Sequence, residues 1–170
     1  DKFEIFVDAS LGTNHKQGRS TTGYATFISE NLIDGKTQLQ KHVALSSAEA
    51  EYVAPSRVCR EIVSVQALAK ELFDFNAKPI IYKDNRAAIK LSKTEEAKTF
   101  RHLVHVKYHY VRKLYNDGII KIKWVHTKDQ LADFFTKAQP APSFIPNCNI
   151  IMNINLPKII IGPSVTDSFK

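Results

Sequence analysis

The sequence is poor in cysteine, and it lacks the segments that mark secreted or membrane-spanning chains. Its two cysteines, Cys59 and Cys148, are far apart and neither has a CxxC partner, so neither a zinc site nor a disulfide framework is predicted. No apolar run approaches the roughly 20 residues of a membrane-spanning helix. The chain starts at Asp1 without a basic-then-apolar leader. We therefore expect a piece of a longer protein in a reducing, intracellular setting.

Acidic residues are outnumbered, 17 against 24 lysines and arginines, which gives a formal net charge of +7 over 170 residues. Between Lys98 and Lys128 there are eight basic residues, four of the six histidines and one acid, Asp117. Two interpretations of this segment stay open. It is either a solvated helix surface or a surface that faces a polyanion such as nucleic acid.

Hydrophobic periodicity predicts a mixed α/β domain. Three strands come first, ending near residues 9, 29 and 45, with a polar loop over 10–20 and a turn over 30–36. A long helix over 48–73 follows, with a kink expected at Pro55. The remainder indicates a strand ending at Asp84, two helices, a strand over 119–125 and a short final helix. The order predicts a five-stranded mixed sheet, its first three strands antiparallel and its last two parallel, with helices on both faces.

Four acids stand where strands or helices would present them at one end of this sheet. They are Asp8 after the first strand, Glu49 at the start of the long helix, Asp84 after the fourth strand, and Asp133 in the last helix. Converging carboxylates repel one another unless cations share the site. Two Mg²⁺ ions bridged by carboxylates would stabilise such a set and support phosphodiester hydrolysis.

Each acid also has an ordinary explanation. Asp8 and Asp84 fit turn positions, and Asp133 fits a solvated helix face. The stretch from Ser46 to Glu49 matches a capping box, in which the Glu49 carboxylate would accept from a backbone N–H. Glu51, two residues further on, would point to another side of the helix and is the second choice. Spacing alone leaves these alternatives open.

Five stretches, in order, resemble the ribonuclease H domain of copia-type retrotransposon Pol polyproteins. They are RSTTGY (19–24), VALSSAEAEY (43–52), IYKDNRAAI (81–89), VKYHYVR (106–112) and WVHTKDQLADFFTK (124–137). The resemblance covers residues 1–139 and implies a ribonuclease H-like fold. Residues 140–170 match nothing in that pattern and form an irregular tail rich in proline, asparagine and isoleucine.

The resemblance implies an endonuclease that cuts the RNA strand of an RNA–DNA hybrid during reverse transcription, leaving 5′-phosphate products. Its four catalytic and metal-binding acids fall on Asp8, Glu49, Asp84 and Asp133, with two Mg²⁺ ions, or Mn²⁺ in their place. A reverse transcriptase domain would precede this one in the same polyprotein, in a cytoplasmic virus-like particle or the nucleus. The candidates for contacts to the nucleic-acid backbone are Arg19, Ser20, Asn85, Arg101, Lys107, His109 and Arg112.

Three departures from the pattern affect function. Pro55 interrupts the helix after the glutamate and is expected to tilt Glu49. His105 stands where the relatives carry an aspartate, and His126, a candidate for assisting product release, stands where they carry a proline.

Besides the enzyme, we consider a retroelement-derived binding module without efficient cleavage, and an integrase-like nuclease of the same fold, which the motifs disfavour. Intact acids favour the enzyme.

Overall fold

The protein, in a computed structural model, is described over residues 2–14, 18–93 and 102–154. Two short 3-10 helices, Thr127–Asp129 and Leu131–Phe135, precede the last α-helix and are called here the first and second 3-10 helices. The strands are β1 (Phe3–Asn14), β2 (Arg19–Ile28), β3 (Asn31–Leu39), β4 (Ile80–Lys83) and β5 (Lys121–Trp124). The helices are α1 (Ser47–Phe73), α2 (Arg86–Lys93), α3 (His102–Asn116) and α4 (Ala141–Ile151).

The strands form one five-stranded sheet in the order β3-β2-β1-β4-β5. β1 pairs antiparallel with β2, and β2 with β3, whereas β4 pairs parallel with both β1 and β5. The predicted fold class is confirmed. Because β1 and β4 run parallel, their carboxyl ends meet at one edge, and this brings Asp8 next to the residue that follows β4.

Alternation along β1 divides the core between the two faces of the sheet. Phe3, Ile5 and Val7 pack with α1 and α3, in a cluster that includes Val58 and Val111. Phe6 faces the other side, in a second cluster that includes residues of the second 3-10 helix and α4. Helices thus cover both faces, as the sequence predicted.

The turn between β2 and β3 comes earlier in the chain than the sequence predicts. Ser29 and Glu30 have positive φ angles of 47° and 72°, which are the values of a two-residue hairpin turn whose twist matches its strands. The strand β3 therefore begins at Asn31, inside the segment predicted to be a turn. Similarly, β1 extends to Asn14, with an irregular register between Ser10 and Asn14, into the predicted loop over 10–20.

Pro55 lies inside α1 without ending the helix. A proline lacks the N–H that would bond the carbonyl four residues earlier, and here that carbonyl belongs to Glu51. The Nζ atom of Lys83 donates to this carbonyl oxygen at 2.6 Å. The lysine therefore replaces the hydrogen bond that the proline removes.

The tail was predicted to be irregular, and for residues 141–151 that prediction is wrong. These residues form α4, which has Pro142 in its first turn, where a missing N–H costs little, and Pro146 in its interior. Phe144 stacks on Phe134 with ring centroids 4.9 Å apart, and Ile151 is buried against the sheet. Tertiary packing thus outweighs the weak helical pattern. The proposed division at residue 140 stays a prediction, and residues 155–170 lie outside the described part.

Across the described residues, every helix is too short or too polar to cross a membrane.

Gly23 permits the second 3-10 helix to lie directly on β2. A β-carbon at Gly23 would stand 2.6 Å from Thr136 Cγ2 and 3.0 Å from the Ala132 carbonyl oxygen. A Gly23→Ala variant should therefore lose about 1–3 kcal/mol of unfolding free energy in urea titrations, because backbone must move. Gly35→Ala is the control, since its β-carbon would meet mainly the Phe135 ring, which can rotate. Equal losses in both variants would contradict this account.

Candidate active site

Three carboxylates converge where β4 ends beside the middle of β1. Asp8, Glu51 and Asp84 each offer an oxygen, and these oxygens lie within 4.8 Å of one another. Asp8 and Glu51 are buried and Asp84 is partly exposed. The Asp84 backbone is fixed by the Trp124 indole N–H, which donates to its carbonyl at 3.0 Å. An all-oxygen set of this kind is the donor chemistry that Mg²⁺ or Mn²⁺ prefers.

Glu49, the predicted ligand, lies elsewhere. Its backbone N–H donates to the Ser46 hydroxyl at 3.1 Å, and its Oε2 accepts from the Leu45 backbone N–H at 2.7 Å. This is the reciprocal capping geometry that the sequence allowed as the alternative. The placement predicted for Glu49 is therefore corrected, because its carboxylate is used to begin α1 and Glu51 takes the expected position.

Helical geometry explains the difference between the two glutamates. Glu51 shares one face of α1 with Ala54, Val58 and Ile62, at spacings of three, seven and eleven residues. These three apolar residues are buried in the core against the sheet. Glu49 is about 200° away around the helix axis. Extending the apolar stripe backwards by one turn would have identified Glu51 from the sequence.

Lys83 is the internal cation of the cluster. Its side chain is 1% exposed, and its Nζ lies 2.6 Å from Glu51 Oε2 and 2.6 Å from the Glu51 carbonyl oxygen. Burial raises the pKa of Glu51, and the Lys83 ammonium offsets part of that rise. Lys83 was not among the predicted site residues, because its role depends on a contact with Glu51, which is 32 residues away in the chain.

The second 3-10 helix brings Asp133 and two further groups to Asp8. The Thr136 hydroxyl donates to Asp8 Oδ2 at 2.5 Å. Lys137 Nζ lies 3.0 Å from Asp133 Oδ1 and 3.6 Å from Asp8 Oδ2. Lys137 is 43% exposed, in contrast to Lys83. Lys137 therefore bridges the carboxylates of Asp133 and Asp8, and its side chain is partly in contact with solvent.

The pKa values of Asp8 and Asp133 are shifted in opposite directions. Burial would raise the pKa of Asp8, but the Thr136 hydroxyl and the Lys137 ammonium outweigh it, so the pKa is lowered. Burial and the Asp8 charge raise the pKa of Asp133 to about 6 despite the opposing effect of Lys137. The pKa of Lys137 is raised because the two aspartates outweigh its own desolvation. Of these two aspartates, Asp133 therefore binds a proton more tightly than Asp8 in the absence of a divalent ion.

This arrangement can be compared with known proteins. A Pol polyprotein from transposon TNT 1-94 of Nicotiana tabacum is 31% identical over 139 residues, which are 82% of this chain and 10% of that protein. The crystal structure of LC11-RNase H1 with an RNA/DNA hybrid superposes with a TM-score of 0.57 at 13% identity, covering 79% of this chain and 93% of the other. This chain belongs to the ribonuclease H domains of retrotransposon Pol polyproteins.

A foamy viral protease-reverse transcriptase, also solved with an RNA/DNA hybrid, contains a domain of the same fold. It aligns with a TM-score of 0.56 at 14% identity, over 79% of this ribonuclease H domain and 19% of the viral chain. No family model matches the chain. The domain spans about a tenth of the length of the curated transposon protein named above.

The predicted backbone-contact residues are placed unevenly in this ribonuclease H domain. His109 is exposed, Arg19 is partly exposed, and the Asn85 side chain accepts from the Ala88 N–H at the start of α2. Ser20 and Arg112 are buried, at 0% and 7% exposure, so their placement does not fit the predicted contact. The side chains of Arg101 and Lys107 lie outside the described residues.

His126, the candidate for product release, is exposed on the first 3-10 helix. Its Nδ1 accepts from the Lys128 backbone N–H at 3.3 Å, and its ring contacts Trp124 edge-on. Its placement thus gives it a local capping role. A part in product release stays a prediction.

The raised pKa of Asp133 predicts a pH-dependent stability in metal-free buffer. The native state binds the Asp133 proton more tightly than the unfolded state, so stability falls as pH rises from about 4 to about 6. Asp133→Asn removes this loss and should be about 1–2 kcal/mol more stable than wild type at pH 7, with no gain at pH 4.

Chemical denaturation in EDTA across this pH range measures the difference. Asp117→Asn is the control, because Asp117 is 42% exposed at the end of α3, in a pair with Lys113. A stability difference for Asp133→Asn that did not change between pH 4 and pH 7 would refute the assignment.

Proposed function

We propose that this domain is a metal-dependent endonuclease that hydrolyses the RNA strand of RNA–DNA hybrids during retrotransposon reverse transcription. The observation that carries the proposal is the convergence of Asp8, Glu51 and Asp84 within 4.8 Å. The fold and the Pol relatives support it, and the hybrid in two structural neighbours indicates the substrate class.

Asp8, Glu51 and Asp84 would hold the divalent ions, with Asp133 as the fourth acid. We infer two Mg²⁺ ions, or Mn²⁺ in their place. When bound, such ions activate a water molecule and stabilise the leaving oxygen of an in-line phosphodiester displacement. The products would be a 5′-phosphate and a 3′-hydroxyl.

The chain's own residues prepare this chemistry. The pair formed by Lys83 and Glu51 keeps the glutamate pointing at Asp8 and Asp84 before any divalent ion arrives. Thr136 fixes one oxygen of Asp8 and leaves the other for a ligand. Lys137, on the solvent side, neutralises the aspartates and can swing away, since its side chain is 43% exposed. The carboxylates are therefore already arranged before a metal ion binds.

Binding of the hybrid is assigned to predicted basic positions that solvent reaches, including His109, which is exposed, and Arg19, which is partly exposed. Groove shape and 2′-hydroxyl groups, rather than base sequence, would select the substrate. A reverse transcriptase domain preceding this one in the polyprotein would deliver the hybrid, in a cytoplasmic virus-like particle or the nucleus. A binding module without cleavage is the alternative, and the intact carboxylate cluster argues against it.

The two neighbouring glutamates provide a matched test. With a labelled hybrid and Mg²⁺, Glu51→Gln and Asp84→Asn should each reduce cleavage at least about a hundredfold, because a metal ligand contributes several kcal/mol to transition-state stabilisation. Glu49→Gln should stay within about threefold of wild type, since glutamine also serves in a capping box. The measurement is the initial rate under single-turnover conditions.

Loss of cleavage in Glu49→Gln with activity retained in Glu51→Gln would reverse the assignment. Hybrid binding without cleavage in the wild-type domain, at any Mg²⁺ or Mn²⁺ concentration, would favour the binding module.

A further inference from the structure

A basic pocket lies on the side of α1 opposite Glu51, between this helix and the end of β3. Its volume is about 300 Å³, which is at the small end of the range for ligand sites. α1 contributes Val53, Ser56, Arg57 and Arg60 to the lining, spaced at i, i+3, i+4 and i+7. This spacing places all four residues on one helical stripe.

Charge in the pocket has one sign. Lys41 and His42, which follow β3, line the pocket together with Arg57 and Arg60, and the described lining residues include no acid. Glu49, one turn earlier on the same stripe, is held by the Leu45 N–H instead. Cations gathered around a concave surface without a counter-charge attract an anion.

The arginines are not used by the fold. None of the ion pairs formed among the described residues includes Arg57 or Arg60. The Nε atom of Arg57 is buried without a hydrogen-bond partner in that part of the chain. An unsatisfied buried guanidinium nitrogen is costly, and a bound anion would supply the missing acceptor.

Two acids, Asp34 and Glu61, line a neighbouring groove together with Arg57 and Arg60, and both already have partners. The Tyr24 hydroxyl donates to Asp34 at 2.7 Å and also contacts Glu61, and Lys36 Nζ lies 3.6 Å from Glu61. The neutral Tyr24 hydroxyl leaves the charge of Asp34 in place, so these acids offset part of the arginine charge on that side. The pocket side, where Lys41 lies, has no acid among the described lining residues and stays positive.

Neutral donors complete the pocket floor. Ser56 and Thr22 are 5% and 3% exposed. Gln40 Nε2 donates both to Thr22 Oγ1, at 3.0 Å, and to the Ala50 carbonyl, at 2.9 Å. The Thr22 hydroxyl hydrogen is thus left to donate into the pocket. Buried hydroxyl donors beside a guanidinium are the groups that recognise phosphate oxygens.

We propose that this pocket binds a phosphate group, specifically a backbone phosphate of a nucleic-acid strand, at a second site separate from the carboxylate cluster. Arg57 and Arg60 are six and nine residues beyond Glu51 on α1, which is roughly 9 and 13 Å along the helix axis. A phosphate held there is too distant to compete for the metal ligands. The choice of a nucleic-acid strand as its source rests on the proposed function, whereas phosphate binding as such does not.

Two measurements on the whole chain test the proposal. In thermal unfolding at constant ionic strength, inorganic phosphate should raise the melting temperature of wild type and of Lys70→Gln, but not of Arg57→Gln. Lys70 is an exposed lysine of the same helix outside the pocket, so it matches the charge change.

In the second measurement, anisotropy of a labelled RNA–DNA hybrid is followed in EDTA over a series of salt concentrations. Arg57→Gln should weaken binding about tenfold and reduce the slope of log K against log salt by about one, because one phosphate contact is lost. Lys70→Gln should leave both unchanged. Arg60→Gln is a second pocket variant, in case Arg57→Gln does not fold.

The outcomes separate the possibilities. Phosphate-dependent stabilisation together with an altered salt slope supports the proposal. Stabilisation by phosphate with an unchanged hybrid slope overturns the nucleic-acid source and assigns the pocket to a free phosphate compound. If phosphate does not stabilise wild type, or stabilises Arg57→Gln and Arg60→Gln as much as wild type, the site itself is overturned. Because these measurements use EDTA and need no cleavage, a domain that fails as a nuclease can still pass them.

Discussion

The structure depends on one electrostatic requirement, which is that three carboxylates meeting within 4.8 Å need positive charge beside them. Lys83 supplies it from inside the protein. Its ammonium binds the carboxylate of Glu51 and also the carbonyl that Pro55 leaves without a helical partner. The proline and the lysine therefore act together. Pro55, which was expected to distort the site, instead leaves the Glu51 carbonyl oxygen free to accept the hydrogen bond that helps to hold Lys83 in place.

The two lysines of the site differ in exposure, and they therefore differ in how firmly they hold the carboxylates. Lys83 and Glu51 form a buried ion pair. Separating the two charges would leave each of them buried and uncompensated. The pair therefore holds Glu51 in one position. Lys137 is partly solvated and screens Asp8 and Asp133 without enclosing them. Gly23 makes the second lysine's position possible, because only a residue without a side chain lets the second 3-10 helix approach β2 closely. Backbone packing and metal-site electrostatics are thus linked at this edge of the sheet.

Much of the fold follows from the sequence, because alternation in strands and spacing in helices are local signals. Asp8 and Asp84 follow from the ends of two parallel strands. Glu49 and Glu51 could not be separated by the motif alone, since both lie in one short stretch and the capping role competes with the metal role. Their separation requires the direction of the buried stripe of α1, which Ala54 and Val58 define.

Contacts between distant segments determine the roles of Lys83 and Lys137 and form the basic pocket. The helix α4 depends in the same way on the packing of Phe134 and Ile151. No local pattern reports such contacts.

The central claim is that Glu51, rather than Glu49, completes the metal site with Asp8 and Asp84. Calorimetric titration with Mg²⁺ tests it most directly, because it needs no substrate and no cleavage. The account predicts that Glu49→Gln binds Mg²⁺ as wild type does, whereas Glu51→Gln binds it at least about tenfold more weakly, a loss of about 1.4 kcal/mol. Unchanged Mg²⁺ affinity in Glu51→Gln with weakened affinity in Glu49→Gln would contradict it.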